Sequence, residues 1–167
     1  MSAGGRYIIL KNKKARELIA FLVCERGRPV RKTRLAETLW PDASPENAMS
    51  SLYKVFRYLR DFSRNGLTIA EGCGAVWLDM SGAVCDVMEF ERLYADKKNV
   101  ESCASAVKLY EAQLFSDECY EWISPYEAYY DVRYFEMAEM LASHYSRLHN
   151  KPLTDHYKAK LDGIIHA

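Results

Sequence analysis

Ten of the hydrogen-bond donors between positions 31 and 64 are candidates for contact with an anion or a nucleobase edge: Arg31, Lys32, Arg34, Ser50, Ser51, Lys54, Arg57, Tyr58, Arg60 and Arg64. Guanidinium and ammonium groups donate to phosphate oxygens and to guanine O6 and N7, and serine and tyrosine hydroxyls reach bases or phosphates. Other chemistries lack their residues. The five cysteines (24, 73, 85, 103, 119) contain no C-x-x-C pair, and none of the four histidines (144, 149, 156, 166) sits in a His-x-x-x-His pair on one helical face. Neither a disulfide framework nor a metal site is expected. Phosphate-cradling G-x-x-x-x-G-K and G-x-G-x-x-G motifs and a G-x-S-x-G elbow are missing. The reading is therefore of a protein that is not an enzyme and needs no cofactor.

The elements that must position these donors are legible in the pattern. A short β-branched run, Arg6–Leu10, suits a strand. From Lys13 to Arg26 apolar residues at 15, 18, 19, 22 and 23 predict a helix, which Gly27 and Pro29 end. Val30 stands alone before a second helix over about 32–40, with Leu35, Leu39 and Trp40 inward. Ser44-Pro45 with Glu46 starts a third helix, running to about Phe62, with a buried stripe at 48, 49, 52, 55, 56, 59 and 62. Ser50, Ser51, Lys54, Arg57, Tyr58 and Arg64 then fall on or near its exposed side. Leu67–Ile69 and Val76–Leu78 read as two strands joined by the tip Glu71-Gly-Cys-Gly74.

Arg31, Lys32 and Arg34 crowd the start of the second helix, where the macrodipole makes each cation unfavourable by a few tenths of a kcal/mol. A bound phosphate would reverse that sign by engaging both the side chains and the free N–H groups. The cluster reads as a phosphate-positioning site.

The whole chain of 167 residues has 23 cations and 23 anions, a formal net charge of zero. That zero is a cancellation. Residues 1–66 carry fourteen cations against six anions, net +8, and residues 67–167 carry −8. A basic half next to an acidic one points to nucleic acid as the partner of the former. At 49% hydrophobic and 28% charged the composition is globular, and the longest apolar run, Leu18–Cys24, is far shorter than the roughly 20 residues of a membrane span. No signal peptide is visible, so a cytoplasmic location and no membrane partner are expected.

The acidic half reads as helices. Asp86 caps one that reaches about Asp96, and a second covers 100–112 with Ala106, Leu109 and Tyr110 inward. Ser124-Pro-Tyr-Glu127 reads as a capping box opening a long helix to about Leu148, with 126, 129, 130, 134, 137, 141 and 145 on its apolar face. Asn150-Lys-Pro152 breaks it, and Thr154 starts a last helix toward Ile164. Ala106 to Ala142 and Tyr110 to Tyr145 are separated by 36 and 35 residues, near the tetratricopeptide period of about 34.

Three helices followed by a hairpin is the order of a winged helix-turn-helix, in which the third helix enters the major groove. Lys13–Leu18, Arg28–Val30, Leu35–Asp42 with its Leu-Trp-Pro-Asp end, Asn47-Ala48, Leu52-Tyr53 and Leu59-Arg60 resemble the OmpR-type winged helix of bacterial SARP-like transcriptional activators. The resemblance implicates Ser51, Lys54, Arg57, Tyr58 and Arg60 in recognition. This chain departs from that family at Arg31, where Ser or Thr is common, and at Glu71 and Gly74-Ala75, where the hairpin commonly carries Arg and Gly-Tyr. Cys85–Glu91, Ala106–Tyr110, Leu114-Phe115 and Tyr120–Trp122 resemble the bacterial transcriptional activator domain, a tetratricopeptide-like module.

The expected fold class is thus mainly α: a winged helix-turn-helix with a small β-hairpin wing over 6–80, followed by a partial tetratricopeptide-like activator domain over 84–167. The expected function is sequence-specific binding of double-stranded promoter DNA by a transcriptional regulator. By resemblance it would be the effector part of a two-component response regulator, with RNA polymerase or a regulatory domain contacted by the acidic half and a homodimer as a further association. The alternative is a protein-interaction module whose winged helix no longer binds DNA.

Overall fold

A computed structural model of the chain describes residues 10–61, 68–79, 85–110 and 118–165. Among them are seven helices and one three-stranded antiparallel sheet, in two compact units, Met1–Val84 and Cys85–Ala167. The chain is mainly helical. No helix among the described residues is long and apolar enough to cross a membrane.

In the first unit, α1 (Lys13–Cys24) begins where Asn12 Oδ1 accepts the Ala15 N–H at 3.1 Å. It buries Ala15, Leu18, Ala20, Phe21, Leu22 and Cys24. The buried face is rotated from the expected one, and Ile19 and Val23 are only half-buried. The helix closes through Arg26 and Gly27, both with positive φ (56° and 72°). The chain then enters β1 (Val30–Arg31), which pairs with β3 (Ala75–Asp79), Val30 opposite Val76. Val30 therefore belongs to the sheet. It is followed directly by α2 (Lys32–Leu39), with Leu35 and Leu39 buried and Trp40 half-buried.

Ser44 caps α3 (Pro45–Arg60), its Oγ accepting the Asn47 N–H at 3.4 Å with Pro45 in the first turn. Ala48, Leu52, Val55, Phe56 and Leu59 form the buried stripe, and Met49 is half-buried. β2 (Thr68–Gly72) and β3 are joined by Cys73-Gly74, with φ of 50° and 76°. Gly72 pairs with Ala75, so two left-handed residues make the loop, the geometry of a type I′ turn. Sheet order is β1-β3-β2, and Val76 and Leu78 point into the core. The expected strand at 6–10, apart from Leu10, and Phe62, Arg64 and Leu67 lie outside the described residues.

The second unit is a run of four helices, each packed on the next: α4 (Asp86–Ala95), α5 (Val100–Leu109), α6 (Ser124–Arg147) and α7 (Lys151–Ile165). Its core draws on Val87, Phe90, Leu93, Cys103, Ala106, Val107, Tyr134, Met137 and Leu141. Phe90, Tyr110, Tyr130 and Tyr134 form a ring cluster with centroid separations of 5.0–5.7 Å, so tyrosines act here as packing surface. The phenol of Tyr110 donates to Asp131. Arg133 lies between Tyr94 and Tyr129, 4.7 and 3.3 Å from the two ring centroids, and fixes α4 to α6. Tyr145 of α6 stacks on Tyr157 of α7 with centroids 5.8 Å apart.

Four local expectations are corrected. Asp86 is the first helical residue of α4 rather than its cap, though its Oδ1 still accepts the Val87 N–H at 2.8 Å. Leu109 is exposed, because α5 buries the stripe Cys103, Ala106 and Val107. The capping box at Ser124 does not form. Ile123, itself helical (φ −75°, ψ −33°) and buried, occupies the cap position without a side-chain acceptor. Finally, α7 begins three residues before Thr154. Asn150 Oδ1 accepts the Leu153 N–H at 3.3 Å, Pro152 is tolerated in the first turn, and Thr154 is buried inside the helix.

Candidate nucleic-acid interface

The donors singled out on α3 lie on or beside one face because of their spacing. Ser50, Lys54 and Arg57 follow at steps of four and three residues, which brings them into one row on a 3.6-residue helix. All three are exposed, and the row spans about 10 Å at 1.5 Å per residue. Opposite it lies the apolar stripe that anchors α3 on α1 and α2. Lys54 and Arg57 have no ion-pair partner among the described residues. Ser51 is half-buried beside this row, and Tyr53 is half exposed. Tyr58 is half-buried and Arg60 exposed, both engaged by partners within the protein. Arg57 and Arg60 sit in the last turn of α3, where the carbonyl end of the helix favours cations. Arg64 lies outside the described residues.

The cations at the start of α2 have a different setting. Arg31 is the cap residue of α2, is exposed and gives no side-chain cap. Lys32 Nζ lies 2.6 Å from Glu71 Oε2 on β2, over the rings of Tyr53 and Phe56 at 5.4 and 5.8 Å. Arg34 Nη2 donates to Glu25 Oε1 at 2.9 Å and its guanidinium lies 5.5 Å from the Phe21 ring. Glu25 is buried, with Arg28 Nη2 3.6 Å from its other oxygen. Two of the three cations are thus compensated by carboxylates from α1's end and from the hairpin. The Lys32 N–H, at the opening of α2, donates to Gly74 O at 3.1 Å. Sequence reasoning missed these partners because they lie 9 and 39 residues from their cations. Only the charges of Glu25 and Glu71 hinted at them.

The start of α1 is tied to the end of α2 in the same manner. Lys14 pairs with Glu17 at 2.9 Å, donates to Leu39 O and lies 5.5 Å from the Trp40 ring. Lys14 is therefore structural, while Lys54 and Arg57 are exposed cations of α3 without an ion pair among the described residues. No family model and no curated protein sequence matches this chain.

Proposed function

We propose that the chain is a sequence-specific DNA-binding transcriptional regulator. Its first unit would act as a winged helix-turn-helix that lays α3 in the major groove, and its second as a tetratricopeptide-like module contacting RNA polymerase or a regulatory domain. The observation that carries this reading is the exposed row Ser50, Lys54 and Arg57 on a helix whose opposite face is buried. An α-helix fits a groove about 12 Å wide, and a row of hydroxyl, ammonium and guanidinium donors matches the acceptors there. Helix, strand, helix, helix and hairpin in that order supports the same reading. Arg31 is the candidate for a flanking phosphate contact.

The test is fluorescence anisotropy with labelled duplexes of varied sequence at low salt. Binding is expected, with Arg57→Ala weakening it roughly 5- to 150-fold if the guanidinium reads a guanine. Absence of binding, or an unchanged affinity in Arg57→Ala, defeats the proposal. One observation favours a second reading, a protein-interaction module: Glu25 and Glu71 neutralise two cations that a DNA backbone would use.

A further inference from the structure

Lys32 is the least exposed of the three cations around α2's start, with 17% of its side chain accessible. Its ammonium is held from two sides, by Glu71 Oε2 at 2.6 Å and by the faces of Tyr53 and Phe56. The same hairpin that brings Glu71 also supplies Gly74 O to the Lys32 N–H, and Arg31 pairs with Ala75 across β1 and β3. A phosphate docked at a helix N-terminus beside a lysine would receive two interactions, one from a backbone N–H and one from the ammonium. Here both are already taken by the hairpin, one by a carbonyl and one by a carboxylate.

We infer that Glu71 stands in for a DNA phosphate. It engages Lys32 within the protein and withholds it from the DNA backbone, so the residue at position 71 sets both the affinity and the salt dependence of binding. This rests on the DNA-binding reading above. Glu71 acts in two ways on that reading. It neutralises a cation that would release a counterion, and its own charge, 48% exposed, opposes a neighbouring phosphate. In the wild type a new partner must displace the carboxylate, whose charge-assisted contact at 2.6 Å is the closer of the holds on the ammonium.

The experiment compares the full chain with Glu71→Gln, Lys32→Gln and the double variant on one labelled mixed-sequence duplex. Anisotropy titrations are run between about 50 and 200 mM salt. Glu71→Gln keeps the shape of the side chain and removes its charge. Each phosphate contact contributes about −0.9 to the log–log slope of affinity against salt. Freeing Lys32 should therefore steepen the slope by about 0.9 and tighten binding about eightfold at 0.1 M salt. Lys32→Gln in the wild-type background, which leaves the Glu71 charge uncompensated, should not steepen the slope, and the double variant should lose the steepening. A wild type that binds, with the Glu71→Gln slope unaltered, overturns the inference and leaves the DNA-binding reading intact. So does a double variant whose slope is as steep as that of Glu71→Gln, since the steepening would then not come from Lys32. If none of the four chains binds at low salt, the DNA-binding reading itself fails and the inference falls with it.

Discussion

Replacing Arg34 by alanine separates the two roles open to the cations of α2. A guanidinium reserved for phosphate could be removed without harm to the fold, whereas one that compensates a buried carboxylate could not. Glu25 is 6% exposed, and its Oε1 accepts from Arg34 at 2.9 Å. A hydrogen bond to a charged group contributes about 1.5–3 kcal/mol when buried. Because the Arg34 side chain is 56% exposed and Arg28 lies 3.6 Å from Oε2, a value of about 1 kcal/mol is the better figure. The contact with the Phe21 ring adds about 0.5–1 kcal/mol. The expected loss is about 2 kcal/mol, which lowers the melting temperature of a unit this size by roughly 8–16 °C. Tryptophan fluorescence suits the assay, since Trp40 and Trp77 both belong to the first unit. Arg31→Ala is the control, expected within about 0.5 kcal/mol of wild type because Arg31 is exposed at the helix cap. Equal melting temperatures for the two variants would mean that Arg34 does not compensate Glu25 and would return it to the set of cations available to phosphate.

Other consequences follow from the same geometry. Cys73 holds a left-handed φ of 50° at the first loop position of the hairpin, so Cys73→Asn should raise the urea midpoint by the equivalent of about 0.5–1 kcal/mol; a lower midpoint would contradict the type I′ assignment. Leu141 of α6 is fully buried, and Leu141→Ala should cost about 2–5 kcal/mol in denaturant unfolding, while the exposed Leu148→Ala should cost little. Burial, first of all, pushes the phenols of Tyr110, Tyr134 and Tyr157 above their usual value, and for Tyr110 the hydrogen bond to Asp131 adds to it. Their folded-state affinity for the proton exceeds that of the unfolded chain, so their contribution to stability is complete below about pH 10 and is lost as pH rises through their folded values. Urea titrations together with tyrosinate absorbance should show unfolding and ionisation advancing together at alkaline pH.

The parts of the fold that sequence makes legible are those fixed by local chemistry. The Ser44-Pro45 start of α3, its buried stripe and the glycine-bearing hairpin tip each follow from a cap, a period or a positive φ. β1 does not, because a two-residue strand has no alternation to read and exists through its pairing with Val76 and Ala75. Ser124 shows the opposite failure. A good capping sequence goes unused because Ile123 is buried and helical, so tertiary packing sets where α6 begins. Leu109 is a matter of register, since Ala106 belongs equally to a stripe with Leu109 and to one with Cys103 and Val107, and only packing on α4 and α6 selects between them. In the candidate interface, the row Ser50, Lys54 and Arg57 is a consequence of helical spacing and was visible in advance. The pairing of Lys32 with Glu71 and of Arg34 with Glu25 was not, because charge alone does not say which carboxylate the fold will bring to a given cation.

We propose that the outer row of α3 is the surface that meets DNA. Backbone amide NMR spectra of the chain, recorded as a duplex is added, test it most directly. Shifts are expected to concentrate at Ser50, Lys54 and Arg57, with a smaller shift at Arg31 and little change along α5 and α7. Spectra unmoved by DNA, or shifts that gather on the second unit and spare α3, would contradict it.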